Sequence, residues 1–328
     1  MSRSKDTASL DPLIVIASNR GPFQFEEHED GSFSSKRGAG GLVTALSALA
    51  EGLDVLWIAC ALSPGDRAWA AAQNERITRV DDIQMRLVVP DPDPYHQYYN
   101  VIANPLLWFI QHQLWDASRN PSIDAATWDA WHNGYVEINR LFARVIADSI
   151  RQALAERERP VLVFPQDYHF YMLPQFLREE LGESVQIQPF LHIPWPGPDA
   201  WRLLPAVMRD AMLRSMLASD RIGFQTRSDA FNFVQTCRFY LEHAHSHGSR
   251  DSIVFAERRV EARTYPISID VEKVDQLISE PYAQLQKAQM INLIGDRRLI
   301  LRTDRVEPSK NILRSEERRV GKECRSRW

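Results

Sequence analysis

The sequence predicts an α/β protein built on a doubly wound parallel sheet. Short apolar runs rich in β-branched residues recur along it, among them "LIVIAS" (13–18), "DVLWIACA" (54–61) and "VLVF" (161–164). Stretches with helical spacing separate these runs, and polar residues follow each run within two positions. A parallel strand covered by helices on both faces has no polar side to show, so it reads as a continuous apolar run. Strands alternating with helices imply the crossover connections of such a sheet.

The elements follow in order. "LIVIAS" is the first buried strand. A polar insertion containing "EEHEDGS" (26–32) reads as a hairpin, and "GAGGLVTALSALAEGL" (38–53) as a tight glycine loop entering a helix. "DVLWIACA" and "IQMRLVVP" (83–90) are the next strands. Two long helical stretches run from about Tyr95 to Ala117 and from about Asp124 to Ala155. "PVLVFPQDYHFYMLPQFLREELG" is strand, polar loop and amphipathic helix; "VQIQPFLHIPWPGP" is strand and loop; "RIGFQTRSDAFNFVQTC" is strand, loop and helix. "RRLILRTDRVEPSKNIL" (297–313) opens another such unit, with Leu299 to Leu301 as its strand.

In an open α/β sheet, ligands lie beyond the carboxyl ends of the strands. The residues at those ends are Asn19 and Arg20, Gln166 to His169, His192, Gln225 and Thr226, and Arg305 to Lys310. They suit sugar and phosphate. Asp167 and His192 can accept from and donate to hydroxyls. Arg305 and Lys310 flank a strand-to-helix turn, where two cations and a helix N-terminus face one anion. Backbone amides around Gly40 and Gly41 can approach a phosphate or a sugar. Each has a plainer reading: Asp167 as a helix cap, His192 as a satisfied histidine in a rigid turn, Arg20 as a surface arginine.

Composition bounds the rest. The 328 residues are 44% hydrophobic and 25% charged, with a formal net charge of −4, as in a globular protein with no general affinity for nucleic acid. "MSRSKDTASLDP" has no apolar run of signal length, and no segment holds eighteen uninterrupted apolar residues, so no membrane partner is expected. The three cysteines form no disulfide framework and no metal-ligand spacing; a cytoplasmic location and no metal are expected. "HAHSHG" (243–248) is read as a solvated loop.

The segments "SNRGP", "GAGGLVTAL", "YYNVIANPLLW", "FPQDYHFYMLPQFLR", "FLHIPWPGPDAWRLLP", "IGFQTRSDAFNF", "YPISID" and "RVEPSK" together resemble the trehalose-6-phosphate synthase family, glycosyltransferase family 20, in family order from about Leu13 to Leu313. The resemblance implies a GT-B fold of two Rossmann-like domains. It implies transfer of glucose from a nucleotide sugar to glucose 6-phosphate with retention, using no metal or other cofactor. By motif, Arg20, Tyr99 and Trp108 correspond to the acceptor site. Asp167 and His192 correspond to the central sugar contacts, and Arg305 and Lys310 to the pair that neutralises the donor diphosphate, with Gly40 and Gly41 also on the donor side. The residues counted as catalytic are Asp167, His192, Arg305 and Lys310.

The chain also departs from the family pattern. Ala59-Cys60 stands where a Gly-Trp pair is usual, Gln166 where His is usual, and "RVEPSKN" where "RLDYxKG" is usual. These changes leave two alternatives, a transferase using glycerol 3-phosphate or a cyclitol phosphate, and a silent sugar-phosphate-binding regulatory relative. The oligomeric state and the donor nucleotide are not readable.

The expected organisation is a disordered N-terminus (1–12), a complete N-terminal Rossmann-like acceptor-side domain with its linker (13–280), and a second Rossmann-like domain only begun (281–313). Residues 314–328, "RSEERRVGKECRSRW", resemble a translated sequencing adapter and are expected not to be native. Little or no activity is then expected of the chain as it stands.

Overall fold

The computed structural model describes residues 11–38, 53–114, 122–246, 251–269, 271–299, 301–304 and 306–312. The expected disordered N-terminus (except Asp11 and Pro12), the glycine loop with Gly40 and Gly41, Arg305 and the 314–328 tail lie outside them. The chain divides into two compact units, residues 1–266 and 267–328. This division falls ahead of the boundary at 280 suggested by sequence.

In the first unit, strands β1 (Leu13–Ser18), β4 (Val55–Cys60), β6 (Ile83–Val88), β7 (Val161–Pro165) and β8 (Gln186–Ile187) are parallel. Strand β5 (Thr78–Val80) lies antiparallel at the edge, giving the order β5-β6-β4-β1-β7-β8. The insertion after β1 forms the hairpin β2 (Phe23–Glu27) and β3 (Phe33–Arg37). A second sheet has the order β11-β12-β10-β9, from β9 (Phe190–Leu191), β10 (Arg221–Phe224), β11 (Ser252–Phe255) and β12 (Arg258–Thr264). Gln166, one residue beyond β7, bridges Phe190 in parallel and joins the two sheets.

Alternation along the strands loads both faces. Leu13, Val15, Ala17, Leu56 and Ile58 enter the larger core, while Ile16, Val55, Trp57 and Ala59 enter a smaller one with Phe25 and Trp69. The smaller core lies under helix α1 (Pro64–Ala72), whose Trp69 ring stacks on Phe25 at 4.0 Å. Gly65 at the start of α1 is required there, because a Cβ would fall 2.2 Å from the Phe25 carbonyl oxygen.

The larger core is covered by two compound helices. Helix α2 begins as Pro92–His96, takes π-helical spacing over Gln97–Trp108 and ends as Phe109–Gln111. Helix α3 runs through Ala125–Asp129, a π-helical Ala130–Val136, and Glu137–Glu156. They match the two long helical stretches read from sequence. Beyond β7 come α4 (Leu173–Leu181), the short α5 (Pro198–Trp201), α6 (Ala206–Met216) and α7 (Arg227–Tyr240).

In the second unit, the described residues form α8 (Val271–Ser279), α9 (Pro281–Ile294) and a 3₁₀ turn at Pro308–Lys310. Of the strand expected at Leu299–Leu301, the described residues Leu299 and Leu301 lie outside any strand, and both are exposed. An apolar tripeptide becomes a parallel strand only when neighbours complete its hydrogen bonds. Among the described residues no helix is long and apolar enough to cross a membrane.

Candidate active site

The chain leaves β7 through Gln166 and Asp167, and the local geometry there is unusual. The N–H of Gln166 donates to the Ala17 carbonyl at 2.8 Å, and that of Asp167 to the Phe190 carbonyl at 2.7 Å. Asp167 holds φ 72° and ψ −178°, a region that side-chain-bearing residues rarely enter. Such strain costs about 1–3 kcal/mol and persists where surrounding contacts over-determine it. Here the bond to Phe190 and the 3₁₀ turn Tyr168–Phe170 fix the backbone on both sides.

This conformation brings the Asp167 carboxylate to the end of β9, where Oδ1 accepts the backbone N–H of His192 at 3.1 Å. Loss of solvation pushes the carboxyl up to about 7, against the downward pull of amides at His192, Tyr168 and Ile193. His192 is likewise poor in solvation, and its ring is pushed down to about 4. Its Nε2 lies 2.9 Å from Oε1 of Gln166, which is buried. Two of the residues expected to touch sugar therefore form one cluster, with Gln166 as its third member.

The loop after His192 is held from α7. Asp229 accepts the Trp195 backbone N–H at 2.9 Å, Asn232 donates to the Trp195 carbonyl at 3.0 Å, and Trp195 Nε1 donates to Thr236 Oγ1 at 3.2 Å. Asp229 also takes the Thr226 hydroxyl, and Thr226 caps the helix by accepting from the Asp229 N–H. Trp195 packs on Trp201, with ring centroids 4.3 Å apart.

Arg20 lies at the end of β1 with an exposed side chain. Its backbone is tethered by Ser18, whose hydroxyl donates to the Arg20 carbonyl and accepts from Trp57 Nε1, each at 2.7 Å. Tyr99 stacks between two rings, Tyr95 and His169, each centroid 5.7 Å away. Tyr95 exchanges hydrogen bonds with the Asn19 side chain beside Arg20. An aromatic row thus runs from the end of β1 to the loop after β7. Trp108, in the last turn of α2, instead packs on His112 at 4.1 Å, in a separate ring cluster. Sequence reasoning placed His169 among the strand-end residues without giving it a role, and passed over Tyr95; their signal is the aromatic crowding of "DPYHQYY" and "DYHFY".

In the second unit, the Lys310 ammonium lies 3.3 Å from Glu307, which also accepts the Ser309 hydroxyl at 2.7 Å. Arg305, its expected companion, is outside the described residues. No group of three or more potential metal ligands occurs among the described residues.

The family model for glycosyltransferase family 20 matches residues 12–315. The chain belongs to glycosyltransferase family 20. Among family-20 relatives, the UDP-forming alpha,alpha-trehalose-phosphate synthase of Botryotinia fuckeliana (strain B05.10) is 31% identical over 303 residues, covering 91% of this chain and 54% of that protein. Among solved structures, E. coli trehalose-6-phosphate protein bound with UDP-2-fluoro glucose superposes with a TM-score of 0.64 at 22% identity, over 85% of this chain and 54% of that one. The N-terminal domain of Candida albicans trehalose-6-phosphate phosphatase superposes with a TM-score of 0.67 at 24% identity, over 90% and 57%. The chain thus spans about half the length of these matches. The two superpositions establish an α/β fold of the GT-B type.

Proposed function

We propose that the whole protein is a retaining glycosyltransferase that moves glucose from UDP-glucose to glucose 6-phosphate, giving trehalose 6-phosphate and UDP. The observation that carries this reading is the Asp167–His192–Gln166 cluster at the carboxyl ends of β7 and β9, in a family-20 chain. The relative's UDP-forming reaction supports the choice of donor. A fold shared with a phosphatase's N-terminal domain does not select a reaction, so the reading rests on the site.

In this reading Asp167 and His192 receive the hydroxyls of the transferred sugar. Asp167 is not the nucleophile, because its carboxylate is engaged by backbone amides. The bond from C1 to the diphosphate oxygen breaks, and the acceptor hydroxyl attacks the same face. Its proton passes to the departing phosphate oxygen. Arg305 and Lys310 offset the charge that develops there, which lowers the barrier only insofar as they meet the transition state better than the ground state. Arg20 holds the acceptor phosphate, beside the aromatic row through Tyr95 and Tyr99. No metal enters this scheme. The buried free thiols of Cys60 and Cys237 suit a reducing cytoplasm.

Incubating the whole protein with UDP-glucose and each candidate acceptor, with product mass and phosphatase digestion as readouts, tests the proposal. Trehalose 6-phosphate is the expected product. Transfer to glycerol 3-phosphate or a cyclitol phosphate, with none to glucose 6-phosphate, would overturn the acceptor; no transfer to any would overturn the activity.

A further inference from the structure

The amide of Gln166 has one orientation open to it. Its side-chain nitrogen lies 3.0 Å from the Phe164 carbonyl oxygen, which can only accept. Turning the amide over would face two oxygens with no proton between them, and Gln166, with 3% of its surface exposed, has little water to compensate. Oε1 therefore faces His192, and the His192 nitrogen 2.9 Å away must carry the proton. The remaining ring nitrogen, Nδ1, has no hydrogen-bond partner among the described residues, yet it is not enclosed.

We propose that Gln166 is a positioning residue that fixes the tautomer of His192, keeping Nε2–H as a donor to itself and reserving Nδ1 as an acceptor for a ligand hydroxyl. The tautomer stands on the contacts above; its use on a sugar hydroxyl rests on the proposed transferase reading. The backbone makes the lock stiff. Gln166 is pinned to Ala17 on β1 and bridges Phe190 on β9, so its side chain starts from a fixed point between the sheets. The His192 backbone is tied to Asp167, and its ring packs against Phe190 at 4.7 Å. An alcohol approaching Nδ1 meets a lone pair and must donate, which selects one orientation of that hydroxyl. The opposite tautomer would put a bare Nε2 against Oε1, two acceptors facing one another in a buried place. The low proton affinity of the ring keeps Nδ1 unprotonated at neutral pH.

The test is NMR on residues 1–328 with ¹⁵N-labelled histidine and no ligand. The His192 signals are assigned by their loss in His192→Phe. The wild type should show one tautomer with a slowly exchanging Nε2–H. In Gln166→Met that proton should exchange at least about tenfold faster, because its acceptor is gone. In Gln166→Glu it should persist, and the proton affinity of the ring should rise at least about tenfold, since a carboxylate now faces it. Far-UV circular dichroism checks that each variant is folded; if Gln166→Met does not fold, the Gln166→Glu titration decides. A protected proton on Nδ1, unchanged exchange in Gln166→Met, or an unchanged titration in Gln166→Glu would overturn the proposal. No substrate enters the measurement, so a failure of the transferase reading leaves the tautomer result standing.

Discussion

Oδ1 of Asp167 accepts the backbone N–H of His192 at 3.1 Å, so a carboxylate ties the end of β7 to the end of β9. The two residues share one poorly solvated site, and the same desolvation moves them in opposite directions, Asp167 up to about 7 and His192 down to about 4. At neutral pH the histidine is uncharged, and the carboxyl is near its midpoint.

Their linkage to stability has opposite signs. Between pH 3.8 and about 7 the folded state holds a proton on Asp167 that the unfolded chain has released, so this group makes stability fall as pH rises. Between about 4 and 6.5 the unfolded chain holds a proton that folded His192 lacks, so stability rises. Asp167→Asn removes only the falling contribution. Relative to wild type, the variant should therefore gain stability from pH 4.5 to 8, on the order of 1–2 kcal/mol after discounting for the partial exposure of the carboxylate. Urea unfolding at both pH values measures it, and the constant loss of amide bonds cancels in the comparison. A difference independent of pH would contradict the titration.

Asp229 serves the site without standing in it. Its carboxylate holds the Trp195 amide, three residues beyond His192, and takes the hydroxyl of the α7 cap Thr226. Asp229→Ala leaves a buried amide unpaired and weakens the cap, and should cost about 2–4 kcal/mol. Asp229→Asn, which keeps an acceptor oxygen, should cost less than half of that. Denaturant midpoints for both variants check the ordering.

Much of the first unit was legible because its signal is local. "LIVIAS", "DVLWIACA" and "VLVF" are strands because apolar, β-branched runs bounded by turn residues have few other uses. Asp167 and His192 could be singled out as candidates because both stand just past a strand, where the sheet exposes its carboxyl ends, and the structure brings them together. The grip of Asp229, Asn232 and Thr236 on Trp195 was not legible, since it pairs residues more than thirty positions apart. The strand β12, "RRVEART", escaped for a different reason: an interior strand with alternating charge looks like a loop until β10 and β11 flank it. Leu299 and Leu301 show the converse, an apolar signal with no neighbouring strand among the described residues to complete it.

Gly134 sets the distance between the two π-helical segments. A Cβ there would fall 2.5 Å from the Gln97 Cβ and 2.7 Å from the Tyr98 nitrogen, so α2 would have to move as a body. Gly134→Ala should destabilise the fold by about 2–3 kcal/mol, in spite of the better helix propensity of alanine. It should also disturb the Tyr99–His169 stack one residue along. Thermal unfolding reads the first effect, and the ring-current shift of the His169 protons reads the second. Stabilisation by the alanine would show that the helices accommodate it.

The last expectation concerns the pair Glu307 and Lys310. Their charged atoms are 3.3 Å apart across one turn, and the side chains retain 21% and 36% of their exposure. If Lys310 meets the donor diphosphate as proposed, Glu307 competes for the same ammonium and adds a negative charge beside an anion. An exposed pair of this kind contributes up to about 1 kcal/mol, so releasing it can strengthen anion binding by up to about fivefold. Glu307→Gln keeps an oxygen for the Ser309 hydroxyl while removing the charge. Calorimetric titration of UDP into the whole protein and its Glu307→Gln variant should therefore show tighter binding in the variant, with the difference shrinking as salt screens both interactions. Weaker binding in the variant would mean that Glu307 orients Lys310 toward the phosphate and does not compete with it.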